Sequence, residues 1–225
     1  MAIHFDEKKK IFTLSTKNTT YQMMVDKYNV LQHTYYGDYV GTEDMSYLEN
    51  HHDMGFSGNP YEETENRGYS FDTLTLEYSS NGIGDYRVNS VSVINPDGTD
   101  AVDFRYVGYK ISKGKYAIPG MPALYGTEEE ADTLEIYVKD TCTNLAAVYF
   151  YSVWEEQDII TRCVKFVNEG QEKIVMKKAA SMNLDLLYGD WELVHFHGRY
   201  AVERQMERTP IMHGKMSVES VRGGS

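Results

Sequence analysis

Cysteine is nearly missing: Cys142 and Cys163 are the two in 225 residues, too few for a disulfide framework. They read as free, buried thiols in a reducing compartment, with a single bridge between them as the alternative. Basic residues are also scarce, with 22 Lys and Arg against 34 Asp and Glu, a formal charge of −12. Nucleic acid and anionic membrane surfaces both need a basic face, so neither is expected as a partner. A neutral ligand meets no such barrier. No apolar run approaches the roughly 18 residues that span a bilayer. The opening Met-Ala-Ile-His-Phe-Asp-Glu-Lys-Lys-Lys reverses the order of a signal peptide and has no apolar stretch, so the expected compartment is the cytoplasm. A Gly-rich phosphate loop, a Gly-x-Ser-x-Gly elbow and a CxxC pair are all absent, and no cofactor is expected.

What is present is apolar and aromatic. Hydrophobic residues make up 41% and aromatics 13%, with nineteen Tyr, enough to fill a core. Period-two alternation recurs and helical periodicity does not. Segments 20–25, 87–94, 133–138, 145–153, 159–167, 174–179, 182–186 and 193–196 read as strands. Within 158–167, Ile160, Arg162, Val164 and Phe166 share one mostly apolar face. Asn95-Pro-Asp-Gly98 predicts a type I turn, and Asn168-Glu-Gly170 a hairpin connection. Residues 50–66 and 118–123 have no period, and a polar loop as long as the first is usually functional or disordered. The fold class predicted is all-β, a large two-sheet antiparallel sandwich with few or no helices.

Few residues could carry chemistry. Glu155 and Glu156 are adjacent, and neighbours on a strand point to opposite faces, so they cannot converge on one bond. They read as a strand connection. Glu203-Arg204 reads as an ion pair at a sheet edge. His195-Phe-His197 after Gly189 resembles half of a cupin metal motif, and two His at that spacing share a strand face. Glu203 stands too far along to complete that motif, and no second block follows. A cupin-like metal protein is therefore the weakest reading, and no metal is expected. His51-His52 lies in the irregular loop without a partnered carboxylate pattern.

Four blocks in order carry a family resemblance. The first holds Asn59-Pro-Tyr, Tyr69-Ser-Phe-Asp-Thr-Leu74, Glu77-Tyr78 and Gly84-Asp-Tyr-Arg87. The second is Trp154-Glu-Glu-Gln-Asp-Ile-Ile-Thr-Arg162, and the third Ala180-Ser-Met-Asn-Leu-Asp185. The fourth joins Gly198-Arg-Tyr-Ala-Val-Glu-Arg204 to Glu219-Ser-Val-Arg-Gly223. Together they resemble the N-terminal β-domain of family 36 α-galactosidases. Two departures stand out: Ser79-Ser-Asn-Gly follows Tyr78 where the family has Pro-x-Tyr-Gly, and Tyr200 replaces a common Trp.

The resemblance implies a β-supersandwich over 1–216 and, over 217–225, the start of a linker to a (β/α)8 catalytic barrel. Both catalytic aspartates of that retaining mechanism belong to the barrel, so no catalytic residue is assigned in this chain. By position, His52-Asp53-Met-Gly-Phe56 and Asn66-Arg67-Gly68 fall where the family's loop reaches a neighbouring subunit's active site. Asp53 and Arg67 are thereby implied as substrate-binding residues. A carboxylate also suits sugar recognition, since it accepts bonds from vicinal hydroxyls and ranks stereochemistry. The partners implied are α-galactoside sugars, the chain's own barrel, and further copies in a tetramer. Tyr200, Val202 and Ile211 are expected to be exposed or shielded by self-association. A stand-alone sugar-binding β-module is the alternative.

Overall fold

The computed structural model describes residues 2–53, 55, 60, 62–63, 65–120, 123–186 and 189–221. In chain order the strands are β1 (Ile3–Asp6), β2 (Ile11–Ser15), β3 (Thr19–Val25), β4 (Leu31–Asp38), β5 (Val91–Ile94) and β6 (Phe104–Lys113). They continue with β7 (Asp132–Asp140), β8 (Leu145–Trp154), β9 (Ile159–Asn168), β10 (Val175–Ala179), β11 (Glu192–Arg199) and β12 (Val202–Pro210). One 3₁₀ turn, Ser46–Leu48, is the sole helical element among the described residues, so the all-β prediction holds. The chain forms two compact units, Met1–Asp185 and Leu186–Ser225.

In the first unit β1-β2-β3-β4 and β6-β7-β8-β9 are antiparallel meanders, and β10 pairs with β5. Burial alternates along β7 and the first part of β8, because Leu134, Ile136 and Val138 face inward together with Leu145, Ala147 and Tyr149. The same core takes Phe12, Leu14 and Met23 from the first sheet and Val91 and Val93 from β5. Phe5 stacks on Phe12 with ring centroids 4.3 Å apart, and Tyr109 closes on Phe12 at 5.2 Å. A smaller cluster gathers Val30, Tyr69, Phe71, Leu74 and Leu76.

Some expectations need correcting. Asn168-Glu-Gly170 does not close a hairpin, because β10 leaves β9 and pairs with β5. The Glu169 N–H instead donates to Asn144 O at 2.9 Å, and the Gly170 N–H to Asn168 Oδ1 at 3.0 Å, so the turn is held by side-chain and cross-loop bonds. Residues 182–186 are not a strand, since Asn183 and Asp185 spend their polar groups on other loops. Cys142 is exposed and Cys163 half-buried, both free, so the expectation of buried thiols fails for Cys142, which sits in the β7–β8 turn. Asn95-Pro-Asp-Gly98 is a turn, closed by the Gly98 N–H on Asn95 O at 2.9 Å.

The second unit is the β11–β12 hairpin and the segment after it. Its tight connection places Ala201 at φ 62°, and the Ala201 N–H donates to Glu203 Oε1 at 2.8 Å. Glu203 thus caps the turn and makes no pair with Arg204. Tyr200, Val202 and Ile211 are all exposed, as are Phe196 and Met206. A two-stranded hairpin with open faces is marginal alone in water. Arg222 to Ser225, the end of the expected linker, lie outside the described residues, as does Asn59 of the first block.

Candidate functional site

Residues 69–80 run through the interior of the first unit almost without strand structure. A buried irregular segment must find partners for its backbone groups. Strand β4 supplies some of them, through the His33 N–H on Thr75 O at 2.7 Å and the Glu77 N–H on Leu31 O at 3.1 Å, and side chains supply others. Arg87 Nη2 donates to Phe71 O at 2.9 Å and to Leu74 O at 2.7 Å. Asn183 Nδ2 reaches Leu76 O at 3.0 Å, and Arg162 Nη2 reaches Glu77 O at 2.7 Å. The side-chain donors come from three separate sequence blocks.

At the centre lies Glu77, with a side chain 0% exposed. Its Oε1 faces Arg162 Nη2 at 2.8 Å and accepts Tyr151 Oη at 2.6 Å and Tyr21 Oη at 2.8 Å. His33 Nδ1 stands 3.6 Å from Oε2. Burial pushes the Glu77 carboxyl up, but Arg162, His33 and Tyr151 together hold it below its ordinary range. The Tyr21 and Tyr151 hydroxyls are raised well above theirs, by burial first and the Glu77 charge second. Arg162 also donates Nη1 to Asn183 O at 2.6 Å, and Arg87 bridges Asp85 at 2.9 Å and Asp185 at 2.8 Å. The apolar face assigned to Ile160, Arg162, Val164 and Phe166 is therefore correct, and its one cation is neutralised from a distant loop. This hub is sealed, so it organises structure and offers no reacting surface.

The second polar cluster is open. The loop before Tyr69 is anchored at its base on the β3–β4 turn. There Tyr69 Oη bonds Asp26, Tyr28 Oη bonds Glu63, and Lys27 Nζ pairs with Glu63 at 2.7 Å. Arg105 Nη1 meets Glu62 at 3.3 Å. Beyond these anchors Arg67 Nε and Asp53 Oδ1 form an ion pair at 2.9 Å, with side chains 62% and 63% exposed. The Gly55 N–H donates to the same Asp53 oxygen at 2.9 Å, with Gly55 at φ 64° as the turn requires. The two substrate-binding residues implied by the resemblance are thus brought together, though fourteen positions separate them. Met54, Phe56 and Asn59 of that loop lie outside the described residues.

Sequence reasoning left His51 without a carboxylate partner. Its Nε2 lies 3.0 Å from Glu49 Oε2, and its Nδ1 lies 3.3 Å from Gly68 O. The Glu-x-His spacing is the signal that was available. Burial raises the Glu49 carboxyl, His51 opposes that rise, and Asp26 and Asp44 add to it. In the second unit His195 and His197 do share a face, with both Nε2 atoms near Glu207 Oε2 at 3.6 and 3.9 Å. Their carboxylate is the cross-strand Glu207 rather than Glu203. Among the described residues no group of three could hold a metal ion. Glu155 and Glu156 sit in the β8–β9 turn, as expected. Also among the described residues, no helix is long and apolar enough to cross a membrane.

Comparison with known proteins places these features. Residues 29–225 match the glycosyl hydrolase family 36 N-terminal domain. The chain is 43% identical over 225 residues to the bifunctional alpha-galactosidase/sucrose kinase AgaSK of Mediterraneibacter gnavus, covering all of this chain and 24% of that protein. It is 33% identical over 226 residues to alpha-galactosidase AgaA of Geobacillus stearothermophilus, covering 31% of that protein. The chain thus spans about a quarter to a third of these relatives. The solved galactosidase domain of AgaSK superposes with a TM-score of 0.90 over 95% of this chain and 30% of that one. A variant of AgaA solved in complex with raffinose gives a TM-score of 0.88 at 34% identity, with the same two coverages.

Proposed function

Because the chain belongs to the N-terminal domain family of glycosyl hydrolase family 36, we propose that it is the non-catalytic front domain of a cytoplasmic α-galactosidase. In this reading it carries no catalytic residue and needs no cofactor. The chemistry, hydrolysis of terminal α-galactosyl groups with retention, belongs to a catalytic (β/α)8 barrel that follows it. The domain's contribution is twofold: a surface for oligomer assembly, and a loop that completes the sugar pocket of a neighbouring subunit.

The observation that carries the reading is the Asp53–Arg67 ion pair. It is solvent-exposed, so it adds at most about 1 kcal/mol to stability, yet it is fixed on a loop whose base is anchored on the β3–β4 turn and on β6. A carboxylate beside a guanidinium presents acceptors and donors side by side, which is what vicinal hydroxyls of a galactosyl group require. The exposed Phe196, Met206, Tyr200 and Ile211 support the assembly role, since apolar groups left open on a marginal hairpin seek cover from the barrel or another copy.

Two measurements test this. The isolated chain should not hydrolyse a nitrophenyl α-galactoside under conditions where the complete protein does, and turnover by the chain alone would refute the front-domain reading. In the complete protein Arg67→Lys keeps the charge and loses the planar fork. It is expected to raise KM about three- to tenfold with kcat little changed. An unmoved KM would remove the loop from the pocket. The stand-alone sugar-binding module predicts instead that the isolated chain binds galactosides by itself, and titration calorimetry separates the two.

A further inference from the structure

With Glu49 ionised, the two ring nitrogens of His51 both face oxygens that only accept. Gly68 O is a carbonyl, and Glu49 Oε2 belongs to a carboxyl group. An imidazole carrying one proton can satisfy one of them. Both contacts are bonds only when the Glu49–His51 couple holds an extra proton, on the ring or on the carboxyl. The Glu49 side chain is 7% exposed, and its Oε1 is buried with no hydrogen-bond partner among the described residues. Among the described residues the one cation-forming partner of this carboxyl is His51 itself, so the couple has reason to keep that proton.

The couple also has a lever. His51 lies two residues before Asp53, and Gly68 directly follows Arg67. The His51–Gly68 contact therefore ties together the two backbone stretches whose side chains form the Asp53–Arg67 pair. The Gly68 N–H is itself engaged by Asn66 Oδ1 at 3.0 Å, so this stretch has little freedom once His51 is bonded. We infer that Glu49 and His51 form a proton-held latch that positions Asp53 and Arg67, and that the latch opens as pH rises. His51 is a positioning residue, since it acts through the loop and not on the ligand.

The charged groups that act on Glu49 besides His51 are Asp26 in the β3–β4 turn and Asp44 ahead of the 3₁₀ turn, the latter paired with Lys9 Nζ at 2.7 Å. Asp26 and Asp44 both favour retention of the proton. When it leaves, the one remaining ring proton goes to the stronger acceptor, the Glu49 carboxylate, so Nε2–H keeps that bond and Nδ1 turns a lone pair on Gly68 O. The tie between residues 51 and 68 is then lost.

The inference rests on the proposed role of Asp53 and Arg67 for its functional meaning, and the test keeps the two apart. In the 225-residue chain, ¹⁵N NMR follows the Arg67 Nε–H signal from about pH 5 to 8, the range in which histidine couples usually titrate. The signal should be sharp at low pH in the wild type and lost as pH rises. It should be absent throughout in His51→Ala. It should persist throughout in His51→Asn, whose amide donates to Gly68 O without titrating. In the complete protein, KM for an α-galactoside should be about three- to tenfold higher in His51→Ala than in wild type at low pH, the two converging at high pH. His51→Asn should match wild type at low pH and fall below it at high pH. A wild-type Arg67 signal that His51→Ala leaves unchanged overturns the latch. An Arg67 signal that follows His51 while Asp53→Ala leaves KM untouched upholds the latch and sinks the pocket reading.

Discussion

Arg162→Met is expected to cost about 3–5 kcal/mol, because it strands the buried Glu77 carboxylate in the core. In a chain of this size that corresponds to a fall in melting temperature of roughly 6–20 °C. Two controls distinguish charge from volume. The double variant Glu77→Leu with Arg162→Met removes both charges and should recover most of the loss, since replacing a whole buried pair is often near neutral. The pH dependence supplies the second. In the wild type the folded Glu77 carboxyl lies below its ordinary range, because Arg162, His33 and Tyr151 outweigh burial. Its contribution is therefore present above the ordinary carboxylate range and lost as pH falls through the folded value. Without Arg162, burial dominates and the folded value moves above the unfolded one. The variant's deficit should then shrink as pH is lowered toward 5. Thermal unfolding of wild type and variant at pH 5 and pH 8 checks the variant's sign, and an equal deficit at the two values would refute the charge account.

Asp53→Ala should leave the fold alone and damage the site. The side chain is 63% exposed, so its ion pair with Arg67 adds little and the stability change should stay within about 0.5 kcal/mol. If the carboxylate receives a sugar hydroxyl in the complete protein, losing that charge-assisted bond raises KM roughly ten- to a hundredfold. The two readouts must separate: KM moves and the melting temperature does not. An unaltered KM makes Asp53 a solvated loop residue, and a collapsed melting temperature makes it a structural one.

Much of the fold was legible locally. Strand β7 and the first part of β8 alternate visibly because one face is buried, β9 alternates with Ile160, Val164 and Phe166 half-buried against the core, and Asn95-Pro-Asp-Gly98 carries its turn chemistry in its own residues. Strands β1, β2, β4, β6 and β12 were not read from the sequence; in β4 and β12, Leu-Gln-His-Thr-Tyr-Tyr-Gly-Asp and Val-Glu-Arg-Gln-Met-Glu-Arg-Thr-Pro carry no clean period. The polar groups of β4 are absorbed by a neighbouring loop, and β12 is open to water along most of its length.

The candidate site divides in the same way. The family resemblance was enough to name Asp53 and Arg67 by position, and period-two alternation was enough to set Arg162 on an apolar face. Which carboxylate neutralises Arg162, eighty-five positions away, depends on how β9 packs over the buried 69–80 segment, and no local pattern encodes that. His51 needed the same information, because its second acceptor, Gly68 O, comes into range only when the loop folds back. Sequence by itself determined the alternating faces, the turn chemistry and the family, since each is written in neighbouring residues. Tertiary structure alone decided the partners of buried and loop charges, because in a β-fold such partners meet through loop closure between distant segments.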